Sequence, residues 1–182
     1  MRVLLLAAAL ATSPAAAADL FGRSLGGPFS LVDQTGAART EADLRGTPSL
    51  LFFGYAGCQA ICSVALPRMA ETVDLLAERG IAARPVLVTV DPARDTPERL
   101  AEAAPAIHPD LMALTGSEAA LDAAMAAWGV EAEVVGEDPL GPIYAHGSYV
   151  YLIDADGETV TLMPPVLGPK RMAEIAAGYL AN

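Results

Sequence analysis

Hydrophobic positions change their period several times along this chain, and the changes mark its elements. Residues 49–55 (Ser49-Leu50-Leu51-Phe52-Phe53-Gly54-Tyr55) are apolar nearly throughout, which predicts a central strand buried on both faces. From 59 to 79, Ile61, Ala65, Met69, Val73 and Leu76 recur every three or four positions and predict a helix that Gly80 can cap. Pro67 inside it either kinks the helix or separates a short first turn from a second start. Residues 85–90 predict a second buried strand. After it, Thr96-Pro97-Glu98 reads as an N-cap, a first-position proline and a first-turn acid, opening a helix to about 104. A short strand at 111–115 is followed by a helix from the cap Ser117 through Trp128, with Gly129 at its exit. Gly136, Pro139, Gly141 and Pro142 make 130–143 read as a loop. An alternating strand over 147–154, an Asp156-Gly157 turn, a return strand over 159–163 and an amphipathic helix over 169–180 complete the pattern. Upstream, Phe29-Ser30-Leu31-Val32 and the following Asp33-Gln34-Thr35-Gly36 predict the start of a small hairpin, and 43–48 a connecting turn.

This order predicts an α/β fold: a mixed central sheet with helices on both faces and an N-terminal β-hairpin. In such sheets, sites gather at the carboxyl ends of the parallel strands. Cys58 lies just past the end of one predicted strand and Asp91 just past another. His146 stands immediately before a later strand. If that strand runs antiparallel to the first, its start shares an edge with the cysteines.

Composition adds a compartment and removes some partners. Hydrophobic residues make up 53% of the 182, enough for a sizeable core. Lys and Arg number 11 against 22 Asp and Glu, a net charge of -11, which argues against nucleic acid and anionic membrane surfaces. Met1-Arg2, an apolar run to Ala11 and the small residues Ala16-Ala17-Ala18 before Asp19 read as a signal peptide over 1–18, cleaved to leave a mature domain over 19–182. The apolar run is too short to span a bilayer, so no stable membrane span is expected, and an uncleaved membrane anchor is the alternative reading of this segment. An exported protein meets oxidising conditions, where a close cysteine pair oxidises unless a reductase or a metal holds it.

Cys58 and Cys62 are the chain's 2 cysteines, spaced C-x-x-x-C. Helical residues four apart lie on one face, so the pair can close a disulfide, exchange electrons as a dithiol, or grip a soft metal ion. Thioredoxin-like redox motifs have the shorter C-x-x-C spacing, and two cysteines are too few for a structural zinc site. A helix starting beside Cys58 would favour thiolate over thiol. With His146 at the same edge, the set Cys58, Cys62 and His146 suits copper: thiolate is a soft ligand for Cu(I), and imidazole serves either oxidation state. His108, in Ala106-Ile107-His108-Pro109-Asp110, reads as a surface-loop residue. Asp91, Arg94 and Asp95 read as loop and cap chemistry rather than catalysis.

Several segments together resemble the Sco/SenC family of thioredoxin-fold copper proteins that serve cytochrome c oxidase assembly. They are Gly27-Pro28-Phe29-Ser30-Leu31-Val32-Asp33, Phe52-Phe53-Gly54-Tyr55 leading to Cys58 and Cys62, Val90-Asp91-Pro92-Ala93-Arg94-Asp95-Thr96-Pro97, Leu114-Thr115-Gly116, and His146 ahead of Tyr149-Val150-Tyr151-Leu152-Ile153-Asp154. The resemblance implies a thioredoxin-like fold, copper ligands at Cys58, Cys62 and His146, and a periplasmic metallochaperone rather than an enzyme in the turnover sense. It also implies delivery to the dinuclear copper site of cytochrome c oxidase subunit II, with a thiol-disulfide reductase as a further partner. The alternative is a periplasmic thiol-disulfide oxidoreductase with Cys58 and Cys62 as its redox-active pair. The chain departs from the family at Gln59 and Ser63, where proline usually follows each cysteine, and at Gly147, where Ser or Thr is common. All three ligand side chains remain in place.

Overall fold

The structure is a computed structural model that describes residues 25–57, 62–147 and 149–181, with the backbone alone at Cys62. The expected signal peptide, residues 1–18, and Cys58 lie outside the described residues.

Strand β3 (Ser49–Gly54) is buried at every position. It pairs in parallel with β4 (Arg84–Thr89), and β4 pairs in parallel with β5 (Met112–Thr115). On its other side β3 meets β8 (Val150–Ile153) antiparallel, with Phe52 opposite Val150, and β9 (Thr159–Met163) pairs antiparallel with β8. The N-terminal hairpin of β1 (Ser30–Asp33) and β2 (Ala38–Thr40) joins the far edge through β5, giving the order β2-β1-β5-β4-β3-β8-β9. This is the mixed, thioredoxin-like sheet that the element order and the resemblance predict. The antiparallel run of β8 brings its start to the carboxyl end of β3.

The helices form where their caps say they should. Helix α2 (Pro97–Ile107) starts at Thr96, whose hydroxyl accepts the Arg99 N–H. It continues through Pro105, beyond the expected stop near 104. Helix α3 (Glu118–Trp128) starts at the Ser117 cap and ends at Gly129, whose φ of 67° is a left-handed conformation that favours glycine. Helix α1 (Cys62–Ala77) carries Pro67 inside a single helix rather than splitting there, and packs against α4 (Pro169–Leu180) and against β3 and β4.

Side chains alternate across β3, so Phe52 and Phe53 face opposite sides of the sheet. Phe53 meets Trp128 of α3 and Tyr151 of β8, both at 6.0 Å between ring centroids. The Tyr151 hydroxyl donates to the Trp128 carbonyl at 3.0 Å, and burial pushes the phenol's pKa up to about 12. Each such fully buried apolar side chain stabilises the fold by about 1.5–3 kcal/mol relative to an exposed one.

Two expectations are corrected. Residues 130–143 are not a loop: β6 (Ala132–Asp138) and β7 (Gly141–His146) form a separate two-stranded antiparallel hairpin. Neither strand has a fully buried face, so the alternation that marks a strand is absent. The Gly and Pro signals belong instead to a register shift between Val134 and Gly136 and to the turn, where Gly141 has φ +123°. His108 is not a surface residue. It is buried, its Nδ1 accepts the Asp110 N–H at 3.0 Å, and its Nε2 lies 3.3 Å from Asp74.

Candidate functional site

The carboxyl end of β3 runs through Gly54 and Tyr55 to Gly57, and Cys58 is the next residue. Cys62 is the first residue of α1. Cys58 and the Cys62 side chain lie outside the described residues. His146 is described, and it lies at this edge of the fold.

His146 ends β7, paired across the hairpin with Ala132. Its ring stands edge-on to Phe52, with centroids 5.7 Å apart, and to Tyr55 at 6.2 Å. The hairpin thus folds its last side chain over the end of β3. The residue after it is tied down as well, because the Gly147 N–H donates to the Glu131 carbonyl at 3.1 Å. His146 Nδ1 lies 2.9 Å from the Gly147 carbonyl oxygen. A carbonyl can only accept, so Nδ1 carries the proton of this bond and Nε2 is the lone-pair nitrogen of the neutral ring. That is the tautomer in which Nε2 can bind a metal, with the other ring nitrogen held by a backbone carbonyl.

A charged segment underlies this edge. Asp91, at the end of β4, has no exposed surface, and its Oδ2 accepts from Arg94 Nε. Burial works against the Arg94 charge, but the bond and attraction to Asp91 outweigh it and raise its pKa. Asp95 is buried too, and its Oδ2 accepts the Ala56 N–H at 2.9 Å and the Thr89 hydroxyl at 2.7 Å. Burial raises the Asp95 pKa more than these two bonds lower it. Arg94 also reaches across to the hairpin. Its Nη1 donates to the Leu140 carbonyl at 3.1 Å and its Nη2 to the Pro142 carbonyl, while the guanidinium lies 5.0 Å from the centroid of the Tyr55 ring. Tyr144, next to Tyr55 at 5.7 Å, has its pKa raised by burial and by the Asp91 charge.

The sequence-predicted candidates therefore separate. His146 stands beside the end of β3, while His108 is tied to Asp74 of α1 and Asp110 and contacts none of the rings around His146. Asp91, Arg94 and Asp95 are loop residues as expected, yet their partners lie on the segment just past β3, on β4 and on the hairpin. The signal for this was present: three charges directly after a fully buried strand must find partners, because an unpaired buried charge is strongly disfavoured. Phe52, Tyr55 and Tyr144 gave no separate signal, since aromatic residues in an apolar run look like ordinary core.

Among the described residues no group of three or more His, Cys, Asp and Glu is placed to hold a metal ion. No described helix is long and apolar enough to cross a membrane.

Comparison with known proteins gives a consistent relationship. The SCO1/SenC family profile matches residues 17–181. Protein SenC of Rhodobacter capsulatus is 39% identical over 130 residues, which make up 71% of this chain and 59% of that protein, so the chain spans less than two thirds of that relative. The crystal structure of Arabidopsis thaliana ScoI with copper bound superimposes with a TM-score of 0.82 at 28% identity, covering 85% of this chain and 97% of the other. The structure of Bradyrhizobium japonicum ScoI with copper bound gives a TM-score of 0.77 at 30% identity, covering 86% and 100%. A match from residue 17 to residue 181, on a fold shared with these two structures, makes this chain a member of the SCO1/SenC family.

Proposed function

We propose that Cys58, Cys62 and His146 together bind copper, and that the protein is a metallochaperone whose cargo is that ion. The observation that carries this reading is the setting of His146. Its ring stands against Phe52 and Tyr55, and its Nδ1–H is spent on the Gly147 carbonyl. Tyr55 precedes Cys58 by three residues. An extended chain spans at most about 3.6 Å per residue, so the Cys58 backbone lies within about 11 Å of that of Tyr55. Two thiolates and one imidazole suit Cu(I), and a set of three ligands leaves a position open through which the metal can leave. The family resemblance supplies the recipient, the dinuclear copper site of cytochrome c oxidase subunit II. Copper binding needs the thiols reduced, so a thiol-disulfide reductase is the second partner. The reading also keeps the signal peptide over 1–18 and a periplasmic location for the domain over 19–182.

The rival is a thiol-disulfide oxidoreductase working through Cys58 and Cys62, and His146→Ala separates the two. Under the chaperone reading the reduced variant loses Cu(I) affinity in a competition assay while its dithiol still exchanges with a model disulfide. Unchanged Cu(I) affinity in His146→Ala, with slowed exchange, would favour the oxidoreductase.

A further inference from the structure

We propose that Arg94 is a positioning residue for His146: it latches the β6–β7 hairpin to the sheet and so sets where the imidazole stands. The inference deepens the proposed copper site and rests on that reading only for its second readout.

The contacts of Arg94 fall into two sets. Toward the sheet, its Nε donates to Asp91 at the end of β4 and its guanidinium lies against the Tyr55 ring, just past β3. Toward the hairpin, Nη1 and Nη2 donate to the carbonyls of Leu140 and Pro142, 46 and 48 residues further along the chain. The planar fork of guanidinium donors is what permits all of this from one side chain, and a lysine cannot reproduce it. The hairpin is shaped to receive it. Gly141, between the two accepting carbonyls, has φ +123°, and a Cβ built there would stand 3.3 Å from Arg94 Nη1. Gly141 and His146 are the two ends of β7, so fixing one end constrains the other. The next residue in the same loop holds the opposite arm, because Asp95 accepts the N–H of Ala56, two residues before Cys58. One short loop thus anchors both the segment leading to the cysteines and the strand that carries His146.

Asp91 supports the latch from below. It is wholly buried, and among the described residues Arg94 is the only side-chain partner of its carboxylate. Removing Arg94 alone would strand that carboxylate and threaten folding. The test therefore uses Arg94→Lys and the paired variant Asp91→Asn/Arg94→Met, which removes both charges together.

The first readout is the NMR signal of the His146 ring protons in the metal-free protein. Edge-on packing against Phe52 and Tyr55 gives these protons a characteristic ring-current shift. Both variants are expected to move the His146 signals toward those of an unstructured histidine while the His108 signals stay put, with the smaller move in Arg94→Lys. Unmoved His146 signals in the folded variants would overturn the proposal, with or without copper binding. The second readout is Cu(I) affinity in a double-mutant cycle with His146→Ala. Loss of groups that orient a ligating histidine typically weakens metal binding about 10–100-fold. The expected result is about a tenfold loss from Asp91→Asn/Arg94→Met in the His146 background and none in His146→Ala. An equal loss in both backgrounds would mean that Arg94 does not act through His146. A wild-type protein that binds no Cu(I) would end the copper reading, and the ring-proton signals would still decide the latch.

Discussion

The ring of His146 stands edge-on to that of Phe52, with centroids 5.7 Å apart and planes inclined at 76°. One residue ends a hairpin and the other lies inside the most deeply buried strand, so the contact joins the small sheet to the large one. Phe52 has no exposed surface, and Phe52→Ala should destabilise the fold by about 3–5 kcal/mol through the cavity it leaves. Phe52→Leu should cost less and still remove the Phe52 ring from His146, leaving Tyr55 beside it. Denaturant unfolding of the two variants, with the His146 ring signals followed in the folded state, checks both parts. Phe52→Leu should shift those signals even where stability is largely kept.

Asp95 joins β4 to the segment before the cysteines. Truncating it to alanine leaves the Ala56 N–H and the Thr89 hydroxyl without their acceptor. Losing such a buried acceptor costs about 1–3 kcal/mol. Asp95→Asn keeps an acceptor oxygen, and burial already favours the uncharged acid at this position, so the asparagine variant should lose less. Equal losses in Asp95→Ala and Asp95→Asn would show that the carboxylate charge, not the acceptor, matters.

Asp33 gives the fold an acid-sensitive point away from the site. Burial raises its pKa, but bonds from Thr35 and Arg39 side chains and from the Thr35 and Ala37 N–H groups outweigh that and lower it from 3.8 to about 2. A depressed carboxylate stabilises the folded state above its unfolded pKa, and that stability is lost as pH falls through the folded value. Thermal unfolding between pH about 4 and about 2 should therefore show a falling Tm in the wild type and a shallower fall in Asp33→Asn. Parallel curves would contradict this assignment.

Copper binding by two thiols must release protons. Apparent Cu(I) affinity should fall with pH, by up to about tenfold per unit for each proton displaced. Competition titrations at a series of pH values measure the slope. In Cys62→Ser the remaining affinity should depend less steeply on pH than in the wild type.

Much of the sheet was legible because its central strands are buried on both faces and read as unbroken apolar runs. Thr96, Ser117 and Gly129 marked helix ends by local chemistry alone. The β6–β7 hairpin was hidden for the opposite reason: it is exposed on most of its length, and Val134, Val135 and Leu140 face solvent where a buried pattern would be sought. Candidate metal ligands could be proposed from residue type and spacing. Their setting could not, because it depends on contacts such as Arg94 with Pro142, 48 residues apart, which leave no local period.

The central claim is tested most directly by anaerobic titration of the fully reduced protein with Cu(I), in parallel with Cys58→Ser. The account predicts one equivalent bound tightly by the wild type and loss of that binding in the variant. A reduced, folded wild type that takes up no copper, or a Cys58→Ser protein that binds it as tightly, would contradict it.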